Sequence, residues 1–238
     1  GLIADFLVTN NRLLTLCHKC NCPSTDKNIS FKETIEIIQL TGLSYEYPNG
    51  KKIKYNDITI KKNNNVIITG ENGSGKTTLA NILCGLFERY EGSIIVNEYQ
   101  LHNISYNDYK KQILYLPSTF FCFDNMTVYE NIKILSDTND STKLKQMLKY
   151  FGIYNLMDSI IENQGNNLSN GQKKKIMLIV ALLSNKSFLI LDEPTNYLDS
   201  NSVDYFIDYI NNDDQKTYLI ISHDEKLIKG ISKSNIYL

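Results

Sequence analysis

An eight-residue run, Gly70-Glu71-Asn72-Gly73-Ser74-Gly75-Lys76-Thr77, matches G-x-x-x-x-G-K-[ST] and sits between two segments of opposite character. Before it, Val66-Ile67-Ile68-Thr69 is a compact apolar strand. After it, Leu79, Ile82, Leu83, Leu86 and Phe87 recur at the spacing of one helix face, which predicts a helix from Thr77 through Phe87. A strand that passes through a glycine loop into a helix cradles phosphate. The glycines let successive N–H groups turn inward, and the helix start adds its positive dipole end. Lys76 neutralises phosphate charge and the Thr77 hydroxyl ligates Mg²⁺. Asn72, Gly73, Ser74, Gly75, Lys76, Thr77 and Thr78 are the candidate nucleotide-binding residues of the loop.

A second constellation lies downstream. Phe188-Leu189-Ile190-Leu191 is an apolar strand that ends in Asp192 and Glu193. Such a strand carries Asp192 to the sheet end beside the phosphate loop, where it can hold Mg²⁺ through water. Glu193 stands one residue on, where a carboxylate can polarise an attacking water. On its own, the run could equally be a strand followed by a solvated acidic turn. The phosphate loop upstream turns the reading toward chemistry.

Between these landmarks the pattern alternates. Strands are expected at Ile35–Leu40 and Ile58–Lys61 around a turn at Pro48-Asn49-Gly50, then at Ser93–Val96, Ile113–Leu116 and Tyr218–Ile221. Helices are marked by Leu144, Met147, Leu148 and Phe151, and by Val203, Phe206, Ile207 and Ile210. Strands alternating with helices predict an α/β fold with a largely parallel sheet.

Leu168-Ser169-Asn170-Gly171-Gln172, followed by Lys173-Lys174-Lys175 and an apolar helix, closely resembles the LSGGQ signature of the ATP-binding cassette (ABC) family. Leu198-Asp199 looks like that family's D-loop, and Ile221-Ser222-His223-Asp224 like its switch-histidine segment. Tyr47 looks like the aromatic residue that stacks on adenine, with Tyr45 as the competing position. The resemblance covers about 35 to 238. It implies an ABC-ATPase fold: a mostly parallel core, an antiparallel β subdomain and a helical subdomain at about 119–183. It also implies two cassettes, identical or different, paired head to tail around two ATP molecules. Ser169, Asn170, Gly171 and Gln172 of one would then meet the γ-phosphate held by the other, with Glu193 activating water and His223 contacting the γ-phosphate. The family usually has a Gln after the fourth of these strands; here the segment is Tyr115-Leu116-Pro117-Ser118, so Ser118 stands at that metal-contacting position. Asn170 likewise replaces a usual Gly. These departures keep a second reading open, a cassette that binds ATP without efficient hydrolysis and serves as a regulatory partner. A third is a non-transport ABC switch.

Asn11-Arg12-Leu13-Leu14, Glu91-Gly92-Ser93-Ile94 and Asn131-Ile132 resemble the exporter branch, whereas Glu162-Asn163-Gln164-Gly165 matches its cross-linking loop poorly. Residues 1–34 are expected to be a helical extension and linker from a membrane domain. The chain starts at Gly1 without Met, as a piece of a longer transporter would. The expected setting is the cytosolic or matrix-side face of a membrane. The formal net charge of −1 gives no basic field for nucleic acid. Five cysteines, three of them at Cys17, Cys20 and Cys22 near His18, read as free thiols rather than a zinc site, since no second ligand pair follows. Cys84 is expected in the core and His102 at the surface.

Overall fold

The computed structural model describes residues 29–231 and 233–238. The cysteine cluster and the helical tail expected around Asn11–Leu14 lie outside these described residues. Two five-stranded sheets carry the fold.

The first sheet is antiparallel. Its long strand β1 (Ile37–Glu46) turns at Tyr47–Gly50, where the Tyr47 N–H donates to the Lys51 carbonyl at 2.8 Å, and returns as β2 (Lys52–Lys54). Strand β3 (Ile58–Lys61) pairs with the other half of β1. On the far edge β1 meets β5 (Glu91–Val96), which is followed by β6 (Tyr99–Gln100). Residues 29–34, expected in the linker, lie against the domain. Ile29 bridges Ile104, the Phe31 N–H donates to Asp108, and Phe31 is buried.

The second sheet is wholly parallel, in the order β10 (Lys233–Tyr237), β4 (Asn65–Thr69), β9 (Thr217–Ile221), β8 (Phe188–Asp192), β7 (Ile113–Leu116). Its inner strands β4, β9 and β8 are buried on both faces, as a covered parallel sheet requires. Successive side chains alternate between two cores. Val66, Ile68, Ile190 and Leu219 face one, together with the antiparallel sheet and α1 (Lys76–Leu83). Ile67, Leu189, Leu191 and Ile220 face the other. That second core is closed by α3 (Val128–Ser136), α4 (Ser141–Tyr150), α5 (Asn170–Leu183) and α6 (Ser200–Asn212). Two short α-helices also occur among the described residues, α2 (Tyr106–Tyr109) and α7 (Glu225–Gly230).

Helix α1 stops before the expected end. Gly85 takes a left-handed φ of 72° and its N–H donates to the Ile82 carbonyl, closing the helix and sending Leu86 and Phe87 onward. Phe87 then stacks on Tyr45, with ring centroids 5.1 Å apart. Cys84 is buried and His102 exposed. Among the described residues no helix is long and apolar enough to cross a membrane.

Candidate functional site

The parallel sheet determines where the site is. The chain leaves the C-terminal edges of its strands as loops, and side chains from four of those loops converge there. The phosphate loop follows β4, Asp192-Glu193 follow β8, His223 follows β9 and Ser118 follows β7. One cleft takes in all of these together with Tyr47 from the antiparallel sheet.

Lys76 is the buried centre of the phosphate loop. Its Nζ donates to the Gly70 carbonyl at 2.7 Å and the Glu71 carbonyl at 2.9 Å, so the loop curls around its own cation. Gly75 permits the curl. Its φ is 100°, and a Cβ there would lie 2.8 Å from both Ile53 Cδ1 and the Tyr55 hydroxyl. Tyr55 is buried and donates to the Gly75 carbonyl at 3.0 Å; burial pushes its phenol well above the ordinary range. Among the described residues no side chain caps α1, which leaves its first amides to an outside anion. The Ser74 Oγ is also buried without a partner among the described residues.

The acidic pair meets this loop. Thr77 Oγ1 donates to Asp192 Oδ2 at 3.0 Å, and the Tyr115 hydroxyl donates to the same oxygen at 3.3 Å. Asp192 is buried, Glu193 half-buried. Burial raises the Glu193 pKa above the usual carboxylate range; His223 opposes this and Asp192 adds to it. His223 Nε2 stands 3.7 Å from Glu193 Oε1. Glu193 holds a left-handed φ of 48°, an uncommon conformation for a residue with a side chain, and its N–H donates to the Ile221 carbonyl at 2.9 Å.

Tyr47 lines the cleft and its hydroxyl is in hydrogen-bond contact with Thr78 Oγ1, while Tyr45 turns away onto Phe87. Ser118 lies on the cleft wall with an exposed side chain. The signature residues lie apart from this group. Ser169 caps α5 in a reciprocal box: the Gln172 N–H donates to Ser169 Oγ at 3.2 Å, and the Ser169 N–H donates to Gln172 Oε1 at 2.8 Å. Ser169 and Asn170 are exposed, and Gly171 packs on the Tyr197 carbonyl, 2.9 Å from where its Cβ would be.

Several contacts carry no signal in the motifs. Tyr55 and Tyr115 are ordinary strand-type tyrosines in the sequence. Lys51 reaches the Gly73 carbonyl at 3.3 Å from the turn beside Tyr47. Lys174 is buried and donates to the Asp192 backbone carbonyl at 3.4 Å. Burial lowers its pKa to about 8, against the pull of Asp192 and Glu193.

A phosphate loop opening a helix, with an acidic pair two strands away on the same sheet edge, is the site of a P-loop nucleoside triphosphatase. Residues 53–196 match the family described as ABC transporter. The chain is 30% identical over 244 residues to a putative export ATP-binding/permease protein of Rickettsia bellii, covering 98% of this chain and 42% of that protein. It is 28% identical over 205 residues to the colicin V secretion/processing ATP-binding protein CvaB of Escherichia coli, covering 82% of this chain and 29% of the relative. The zinc import ATP-binding protein ZnuC of Rickettsia conorii is 31% identical over 193 residues, covering 79% of this chain and 76% of its own. In fold the chain resembles a bacterial Atm1-family ABC exporter solved with ATP bound, with a TM-score of 0.77 at 18% identity over 92% of this chain and 39% of that one. This chain therefore belongs to the ABC transporter family, as an ATP-binding domain of the ATPase type. It spans less than half the length of the export and secretion relatives.

Proposed function

We propose that this chain is the ATP-driven motor of an exporter-type transporter, working as one of two cassettes, identical or different, at the cytosolic or matrix-side face of a membrane. The observation that carries the reading is the division of the site. Lys76, Thr77, Asp192, Glu193, His223 and Tyr47 share one cleft, whereas Ser169–Gln172 cap a helix that is not part of its lining. A second cassette facing the first head to tail completes the cleft with its own signature turn. Tyr47 would stack on adenine, and residues 72–78 would hold the phosphates through loop amides and Lys76. The export and secretion names among the relatives favour the exporter branch, although an importer component is among them too. Residues 1–34 would be the extension that leads from the transmembrane domain.

The residues fit Mg²⁺. Thr77 Oγ1 and Asp192 Oδ2 are hard oxygen donors 3.0 Å apart at the start of α1, with Ser118 on the facing wall. When bound, the ion would supply positive charge against the terminal phosphates. Glu193 is the residue to accept the proton of the attacking water: its raised pKa makes it a stronger base than an exposed carboxylate. His223, beside Glu193, would contact the γ-phosphate and lose that contact after cleavage.

The test is Mg-ATP hydrolysis by the purified chain over a range of protein concentrations, beside Glu193→Gln. A rate rising faster than linearly, and lost in the variant, is the expected result. ATP binding with no hydrolysis at any concentration overturns the reading of a motor built from two identical cassettes, and recovery by Ser118→Gln then assigns the defect to that loop.

A further inference from the structure

Three consecutive lysines open α5 directly after the signature turn, and each goes to a different element. Lys173 lies over the Phe120 ring, 5.5 Å from its centroid, in the segment after Ser118. Lys175 pairs with Asp199 at 2.5 Å. Lys174 turns inward and is 7% exposed, rare for a lysine and costly in desolvation. Its single acceptor among the described residues is the Asp192 carbonyl at 3.4 Å.

That carbonyl and the Glu193 N–H belong to one peptide group. In a trans peptide the two point in opposite directions. The N–H points to β9 and donates to Ile221 at 2.9 Å. The carbonyl therefore points away from β9, toward the side of β7. There the strand register ends at Leu116 opposite Leu191, so β7 stops short of Ser118, whose N–H would come next in register. A carbonyl at the end of a buried strand with no backbone donor beside it needs one from elsewhere. Lys174 supplies it. The peptide is thus held at both ends, and it sets the plane from which the left-handed Glu193 projects its carboxylate. Released at the carbonyl, the peptide can rotate, which exchanges the positive φ of Glu193 for the negative φ that a side-chain-bearing residue prefers. The carboxylate is then no longer held in one orientation.

We propose that Lys174 is a positioning residue that locks the Asp192–Glu193 peptide and so fixes the water-activating carboxylate. The proposal rests on the reading of Glu193 given above. Because Lys174 sits on the helix that Ser169 caps, it also ties the signature turn to the carboxylate of the same cassette.

The experiment uses Lys174→Met, a neutral side chain of similar length, in the full chain, alone and combined with Glu193→Gln. Rates are expressed per nucleotide-binding site, so any misfolded fraction lowers stoichiometry rather than rate. The maximal rate is expected to fall ~10–100-fold, the loss typical of a misplaced reacting group. The KM and the Kd for a fluorescent ATP analogue stay within about twofold, because the binding residues are untouched. Removing the buried ammonium spares its desolvation cost but leaves the Asp192 carbonyl without its donor, so melting is recorded only to show that the variant is folded. In the Glu193→Gln background, the slow residual cleavage of bound ATP in single-turnover assays is not lowered further by the second substitution. A Lys174→Met rate within about twofold of the parent, or equal losses in both backgrounds, overturns the proposal. If Lys174→Met melts lower than the parent, Lys174→Gln carries the same test by the same criteria. A parent chain that fails to bind or hydrolyse ATP overturns the functional reading itself. A hydrolysing parent matched by its Lys174 variants overturns this inference alone.

Discussion

At Gly75 the phosphate loop has no room for a methyl group. A Cβ would press on Ile53 and the Tyr55 hydroxyl at 2.8 Å, and the φ of 100° is already outside the range side chains favour. Gly75→Ala is expected to cost ~1–2 kcal/mol in backbone strain before any clash is counted. Thermal melting should show the loss, and ATP titration should show affinity falling further than stability. Tyr47 offers a cleaner separation. Its ring lines the cleft while its hydroxyl contacts Thr78. Tyr47→Phe should leave ATP affinity nearly unchanged. Tyr47→Ala should lose ~1–3 kcal/mol, the usual worth of an aromatic stacked on a base. Calorimetric titration of both variants decides it. Equal losses would mean that the hydroxyl, not the ring, is what the nucleotide needs.

Elements are held to one another by single polar side chains, and these set the next scale. Asn131 on α3 is fully buried and ties down residues 123–127. Its amide donates to the carbonyls of Phe123 and Thr127 at 3.1 and 3.0 Å, and its oxygen accepts from the Phe123 N–H at 2.7 Å. Asn131→Ala strands those groups, so a loss of ~1–3 kcal/mol is expected from urea unfolding. Asp199 joins α6 to α5 through Lys175, and the Lys175 hydrogen bond is the main reason its pKa is lowered to about 2. An unfolded aspartate titrates near ~3.9. The folded value lies below the unfolded one, so this contribution is whole above pH ~4 and is lost as pH falls toward 2. Asp199→Asn should therefore be less stable than the parent at neutral pH and equal to it at the acid end. A constant gap across the titration would remove the ion pair from the account.

The strands around the chemistry were legible in the sequence because a covered parallel strand is a short apolar run, as at Val66–Thr69 and Phe188–Leu191. The end of α1 was not. Leu86 and Phe87 keep the helical spacing, yet a single left-handed glycine at position 85 redirects them. The phosphate loop and acidic pair were legible because their chemistry needs particular residues at fixed spacing. Tyr55, Tyr115 and Lys174 were not, because each acts through a contact between elements far apart in the chain, and no local pattern marks such a contact.

On the scale of the molecule, two cores share one sheet, and the two halves of the site belong to different sides of it. The phosphate loop rests on the core under the antiparallel sheet; the signature helix rests on the other. A Glu193→Gln chain, which should keep its ATP uncleaved, is therefore expected to run as a dimer with ATP and as a monomer with ADP in size-exclusion chromatography. Ser169→Ala in that background should weaken the dimer. A single ATP-independent size for all of these would mean the halves do not meet between copies.

The cap at Ser169 settles what kind of guest the signature turn can receive. Its oxygen accepts the Gln172 N–H, which leaves the hydroxyl proton free to be donated outward. With the positive dipole end of α5 behind it, the turn favours an anion, so the charge of the group it meets was set when the helix started.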